Sequence, residues 1–456
     1  MANKQLLTYA SKIAQVEQFY YSPVSVVPPQ LDFPIGTIYC FLAKVDAWSD
    51  DNDPVQPTQD QRSIKNIFKN IFVAKKINTT EISPVIARED WTANTVYDFY
   101  RDDIDMLAKD INNSLVKKFY VKNKYDQVFK CLWNNNNQPT TVEPFFEPGA
   151  YNNLNVYIGA DGYKWKYVYT IDAYNKVHFM DPKWMPVPVG FNTPSPLTPA
   201  GRGSIDVAGL VSGGQNYNTY TTVSITGDGT GATGVAIIDG GVVTDVRIDN
   251  AGKDYTYADI SITSLYGSGA TANVYPSPIG GHGFDPISEL GCSHVMISVE
   301  FDGEENGYIP VSSDTQTFDF HQLGIVINPT TSQRSPFQAN GAIYKTTTDV
   351  TVAAGYGSYT NDESVSQVDQ FGKTTFTATV LDFNTNTNLI RLINTEGTIT
   401  KNIPIRGTNS GTSRTLLDYN PPDFTLYSGY ISFIENRTGV TRSADGIEQF
   451  KFVLGY

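Results

Sequence analysis

A mainly β fold is what this sequence predicts, on three observations. Short β-branched and aromatic runs recur throughout the 456 residues, which include 28 Tyr and 24 Phe. Such side chains suit a pleated, half-buried surface. Turn formers punctuate the runs, with 37 Gly and 25 Pro, and their clusters with Asn and Asp mark strand ends. Helical periodicity is confined to a few short stretches. A chain of this length buries a large core without staples, and 40% hydrophobic against 18% charged residues excludes a fully disordered one.

Taken in order, the first element is a helix over 6–20, with Leu6, Ala10, Ile13 and Ala14 on one face. Ser22-Pro23 and Pro28-Pro29 end it. A strand follows at 37–45, apolar enough for the middle of a sheet, then a polar loop at 46–59 that carries Trp48. Helices are expected at 63–69 and at 100–119, the second from the stripe Ile104, Leu107, Ile111 and Leu115. Residues 119–180 read as strands, clearest at 127–132 and 165–171, with a polar turn at 134–138. The 165–171 run alternates large apolar and polar groups, as a half-buried antiparallel strand does. Six prolines between 182 and 199 predict a linker or extended surface segment with no regular ladder.

An internal repeat comes next. Tyr217, the run Val223-Ser224-Ile225-Thr226 and Gly231-Ala232-Thr233 recur as Tyr255, Ile260-Ser261-Ile262-Thr263 and Gly269-Ala270-Thr271. The spacing is 37 to 38 residues, and Gly240-Gly241 with 242–248 between the copies is a turn followed by a strand. Residues 204–275 are therefore expected to form a compact two-repeat β module. Further on, strands are expected at 294–299 and 323–327. Residues 350–418 read as a second inserted module with the grammar of a small barrel: a strand at 374–381, a hairpin turn at 382–388, a return at 389–393 and a turn at 407–413. Two strands around a polar loop close the chain at 428–456. The domain layout is thus 1–203 and 276–349 as a body, 204–275 and 350–418 as insertions, and 419–456 as C-terminal strands of the body.

The net charge of −14 argues against non-specific nucleic-acid binding, which needs basic patches. The lysines at 117–124 are read as a solvated face. Cys40, Cys131 and Cys292 are three in number and far apart, so free buried thiols are expected rather than disulfides or a zinc knuckle. Residues 1–18 lack an apolar core for a secretory signal, and no run of 18 apolar residues predicts a membrane helix.

Candidate chemistry is sparse. His282, Asp285, Glu289 and His294 can be drawn as a metal site, but their spacing matches no metal motif, and Gly281-His282-Gly283-Phe284-Asp285-Pro286 reads as a tight turn. Gly227-Asp228-Gly229-Thr230-Gly231 lacks the lysine of a phosphate loop and the acidic ladder of a calcium loop, so it too reads as a turn. Glu304 and Glu305 fall in an Asp/Gly turn and read as solvated. No GxSxG motif is present. No catalytic, cofactor-binding or metal residue is assigned, no cofactor is expected, and the chain is not expected to be an enzyme.

Several segments, in order, resemble the baseplate wedge subunit of T4-like contractile-tailed phages, the gene product eight family. They are Ser11-Lys12 with Gln18-Phe19-Tyr20, the strand 38–45 with Ala47-Trp48-Ser49, Ala87-Arg88-Glu89-Asp90-Trp91, Phe129-Lys130-Cys131-Leu132, Asp161-Gly162-Tyr163-Lys164-Trp165-Lys166-Tyr167, 320–329, and 428–437. The two stretches without resemblance coincide with the two proposed insertions. The resemblance implies a β-sandwich body with short flanking helices. It also implies a homodimer in each baseplate wedge, beside subunits resembling gene products six, seven and ten, with no nucleic-acid or membrane partner. Location in the virion tail baseplate, after assembly in the host cytoplasm, is implied likewise. The work implied is mechanical: holding wedge geometry and passing on the rearrangement that triggers sheath contraction. Trp48, Trp91, Trp165 and Arg88 suit interface anchors, or else core packing and a pair between Arg88 and Asp90 or Glu89; the second reading is preferred. The alternative function is a carbohydrate- or receptor-binding tail protein that uses its Tyr- and Asn-rich insertions. A secreted glycoside hydrolase is weaker still, since no secretion signal or clear carboxylate pair appears.

Overall fold

The computed structural model describes residues 8–21, 37–110, 115–147, 155–189, 203–305, 307–310, 318–332, 338–443 and 445–455. The fold is mainly β, with several sheets and few short helices. The chain divides into two compact units, one of Met1–Tyr20, Ile82–Ile297 and Phe452–Tyr456, the other of Tyr21–Glu81 and Ser298–Lys451.

In the first unit, an antiparallel sheet is ordered Tyr120–Lys122, Gln127–Asn134, Tyr163–Thr170, Val156–Ile158. The Asn123 side chain sets its first turn by accepting from the N–H groups of Tyr125 and Gln127, both at 2.9 Å. One face packs Phe129, Cys131, Tyr163 and Trp165 into a core with Tyr97. The helix Ala173–Phe179, capped by Asp172, lies where strands alone were expected. Strand Ile82–Ala87 pairs with His294–Ile297 of the next strand and, on its other side, with Trp184–Pro186.

That last pairing corrects the reading of 182–199 as free of any ladder. Pro186 sits opposite Val85 at the edge of its sheet, where its missing N–H is tolerated. Residues 190–199 of that stretch lie outside the described residues.

The repeat forms three two-stranded antiparallel sheets: Ala208–Gln215 with Ser268–Val274, Thr222–Gly227 with Ala258–Thr263, and Thr230–Asp239 with Val242–Lys253. With the strand Val242–Lys253 counted to the second copy, each sheet takes one strand from each copy, so neither copy completes a sheet alone. Both halves share one core, which includes Tyr217, Val243, Val246, Tyr255 and Ile262.

The helix expected over 100–119 is not formed. Residues 100–110 and 115–119 are turns and isolated bridges, with Lys109 bridging Leu115; residues 111–114 lie outside the described residues. Local side chains compete for the backbone here: Asp105 accepts from the Leu107 N–H at 3.0 Å, and Arg101 pairs with Asp103. In the first helix, Tyr9–Tyr21, Ile13 is buried as expected and Val16 with it, while Ala14 is exposed; Leu6 lies outside the described residues.

In the second unit, a five-stranded antiparallel sheet is ordered Ile343–Lys345, Ile71–Lys76, Ile38–Ala43, Phe320–Ile327, Tyr430–Val440. All six residues of Ile38–Ala43 are buried, which fits its central place. Helix Gln61–Asn70 starts at Asp60, whose carboxylate accepts from the N–H groups of Arg62 and Ser63 at 3.0 Å. It buries Ile67 against Tyr39, Phe41 and Val326 on one sheet face. Six further strands, from Thr348–Val352 to Ser413–Asn420, close into a barrel around Val350, Val365, Val380, Ile390 and Leu392. The barrel hairpin runs further than expected, since the strand continues to Asn384 and only then turns.

Candidate functional site

Three lysines line one face of the sheet in the first unit. Lys164 and Lys166 alternate with the core residue Trp165, and Lys130 stands opposite Lys166 in the ladder. Alternation along 165–171 predicted the Lys166 side of that strand to be in water. Instead the three side chains are between 1% and 4% exposed. A buried ammonium is tolerated only when paired and hydrogen-bonded, and later parts of the chain supply the partners. Lys130 meets Glu289 at 3.0 Å, Lys164 meets Asp245 at 2.7 Å, and Lys166 meets Asp206 at 2.9 Å. Lys164 also donates to the Ala208 carbonyl at 2.9 Å, and the Ser204 hydroxyl donates to Asp206 at 2.6 Å. The pairs of Lys164 with Asp245 and Lys166 with Asp206 tie the two-repeat module to the sheet. Beside them Leu132 and Val156 join the module's core.

Lys130 has the densest surroundings. Its Nζ lies 3.1 Å from His282 Nδ1 and 4.1 Å above the Tyr100 ring. His282 meets that ring edge-on, with centroids 4.7 Å apart. Burial pushes His282 down to about 4, and Lys130 acts in the same direction, so the imidazole is neutral and Nδ1 accepts the lysine proton. Burial opposes charge on Glu289, but its neighbours, the Lys130 ammonium foremost, outweigh it and hold the carboxyl at about 2. The Gly283 N–H donates to the other Glu289 oxygen at 2.7 Å. Burial pushes Lys130 itself down while Glu289 draws it up. Burial opposes charge on Asp206, but Lys166 and the Ser204 hydroxyl are among the groups that together lower its pKa below the usual value.

Of the four residues that could be drawn as a metal site, only His282 and Glu289 come together, 3.7 Å apart, and Lys130 contacts both. Asp285 instead caps the turn Pro286–Glu289 by accepting from the Ser288 N–H. His294 packs on Trp184, with ring centroids 4.4 Å apart. Among the described residues no group of three His, Cys, Asp or Glu could hold a metal ion. The 227–231 segment is a turn in which Asp228 accepts from the N–H groups of Thr256 and Tyr257.

Other expectations also meet the structure here. Of the lysines at 117–124, Lys117, Lys118 and Lys124 stand in solvent as expected, and Lys122 is buried instead. Lys117 pairs with Asp98, Lys118 with Glu89, Lys124 with Glu143, and the buried Lys122 with Asp90 and Asp126. Glu305 is not solvated either: its side chain is 12% exposed and pairs with Lys75, while Glu304 is exposed. Trp165 is core, Arg88 pairs with Asp90, and the Trp48 indole donates to the Arg437 carbonyl at 2.6 Å. All three cysteines are free and buried. Sequence reasoning missed Lys130, although an ionisable residue inside the run Val128 to Leu132 was a signal. Asp206 and Asp245 match no motif and gave none.

No helix among the described residues is long and apolar enough to cross a membrane. The chain matches no family model and no curated protein.

Proposed function

We propose that this chain is a structural subunit of a phage tail baseplate wedge, working through its geometry and its contacts with neighbouring subunits. One observation carries the reading. The segments that resemble the wedge family supply the strands Ile38–Ala43, Gln127–Asn134, Tyr163–Thr170, Phe320–Ile327 and Tyr430–Val440. The stretches without resemblance hold cores of their own, around Tyr217 and Tyr255 and around Val350 and Leu392. The buried lysine pairs support the same reading, because they act as fasteners between parts of the fold. In this role the protein forms a homodimer and joins wedge subunits resembling gene products six, seven and ten. Mass spectrometry of purified tail particles tests it: the chain is expected among their stoichiometric components, and its absence overturns the proposal.

A second reading rests on exposed aromatics of the two-repeat module. Tyr220 and Tyr257 occupy equivalent places in the two copies and are 72% and 60% exposed. Flat exposed rings of this kind suit stacking on sugars, which favours a carbohydrate-binding role for the module. Glycan-array binding that is lost in Tyr220→Ala and Tyr257→Ala supports it; a blank array removes it.

A further inference from the structure

Strand Tyr430–Val440 lies at the outer edge of the five-stranded sheet and pairs on one side only, with Phe320–Ile327, among the described residues. An edge of this length presents a row of backbone donors and acceptors to any extended chain. Its two halves differ. Along the far half runs the chain's own 46–60 loop: Trp48 donates to the Arg437 carbonyl, and the Asn436 side chain donates to the Val55 carbonyl at 2.7 Å. That loop is acidic, with Asp46, Asp50, Asp51 and Asp53.

Along the near half, from Tyr430 to Ile434, the edge opens into a groove of about 720 Å³ beside the helix Gln61–Asn70. Ile64, Phe68 and Ile431 line it, and Tyr430 is exposed at its mouth. Lys65 stands on its rim, with Arg62 one place further round the helix. Both cations are exposed and form no ion pair with the described residues. Their neighbour Lys69, by contrast, is paired with Glu396. Two unanswered cations beside an open edge, in a chain of net charge −14, call for an anionic partner.

We propose that the 430–434 edge and its groove take an extended acidic segment of another protein, which adds a strand to the sheet and sets its carboxylates against Arg62 and Lys65. This is recognition by strand addition, with affinity from main-chain hydrogen bonds and selectivity from the pockets and charges alongside. The proposal deepens the assembly reading, since it identifies the surface by which one neighbour would be held, but it does not depend on which assembly is involved.

The test uses the full chain and a fluorescein-labelled ten-residue probe of alternating valine and threonine with two glutamates at each end. Two controls accompany it: the same peptide with alternate backbone nitrogens methylated, and one with lysines in place of the glutamates. In anisotropy titrations the acidic probe is expected to bind at least tenfold more tightly than either control. Its affinity is expected to fall at least tenfold in Arg62→Glu/Lys65→Glu, a variant whose thermal melt stays that of the parent because both side chains are exposed. Equal binding of the methylated probe overturns strand addition. No binding of the acidic probe, or no effect of the double variant, overturns the site. Light scattering separates the remaining occupant: a dimer of the parent that becomes a monomer in the double variant assigns the edge to a second copy and overturns the proposal of a foreign segment. Presence in tail particles is read independently, so failure here leaves the assembly reading standing.

Discussion

Tyr217 and Tyr255 close each other's repeats. The Tyr217 hydroxyl accepts the backbone N–H of Ala270 at 3.0 Å, and the Tyr255 hydroxyl accepts that of Ala232 at 3.2 Å. Each ring is wedged between a glycine of its own copy and one of the other. A Cβ on Gly214 or Gly267 would strike Tyr217, and one on Gly252 or Gly229 would strike Tyr255, all closer than 3.0 Å. The module is therefore an exchange between two half-units, and its conserved spacing of Gly, Tyr and Ala within the chain has a steric cause.

The exchange predicts matched penalties. Tyr217→Phe and Tyr255→Phe are each expected to cost about 1 kcal/mol for one lost hydrogen bond. Either residue changed to Ala is expected to cost about 3–5 kcal/mol, because a buried ring leaves a cavity. Calorimetry of the full chain checks this. A large effect at one tyrosine with none at the other would contradict the symmetry.

Gly214 and Gly252 carry φ values of +60° and +62°. A Cβ there would also lie 2.4 Å from the Ser268 carbonyl or 2.6 Å from that of Thr230. Gly214→Ala and Gly252→Ala combine left-handed backbone with a clash against backbone, and each is expected to destabilise by more than about 1 kcal/mol. Gly240→Ala has the same sign of φ but open space around it, so its cost should be smaller. Chemical denaturation of the three variants orders them.

Breaking one buried pair should cost more than removing it whole. Lys130→Met leaves Glu289 charged without its ammonium, and Glu289→Gln leaves Lys130 without its carboxylate. Each is expected to cost about 3–5 kcal/mol, whereas Lys130→Met/Glu289→Leu is expected to be far milder. A double variant as unstable as the sum of the singles would show that the two residues do not act as a pair.

Acid should loosen the protein in two stages. His282 and His294 are both pushed down to about 4 by burial, so unfolded chains take up protons near pH 6.5 while the folded protein does not. Stability from these groups is full above pH 6.5 and is lost as pH falls towards 4. Glu289, held at about 2, adds stability that is full above about 4.5 and is lost below it. The melting temperature should fall steadily from pH 6.5 downward, and His282→Gln should flatten the first stage. A melting temperature unchanged between pH 6.5 and 4 would refute this.

Zinc should neither stabilise nor be needed. With Lys130 between His282 and Glu289, a cation would have to displace an ammonium already in place. Chelators and added zinc are expected to leave the melting curve where it is, and a rise with zinc would mean that the cluster can rearrange into a metal site.

Much of the β framework was determined by local sequence. Alternation, glycine turns and the repeat spacing mark the strands at 127–134, 163–170, 374–384 and 389–397, because strand and turn propensities act over a few residues. The same local rules misread 100–119, where an apolar stripe at helical spacing lost to local contacts such as Asp105, whose side chain bonds the backbone two residues on. They also misread Lys166, where period-two alternation promised a wet face, and they passed over Lys130 and Lys164. What only tertiary structure decided is which distant groups meet: the carboxylates of Asp206, Asp245 and Glu289 arriving on those lysines, each repeat lending its strands to the other, and a proline-bearing segment completing a sheet edge. Burial of a charge depends on a partner from 40 to 159 residues away, and no periodicity within one strand carries that information.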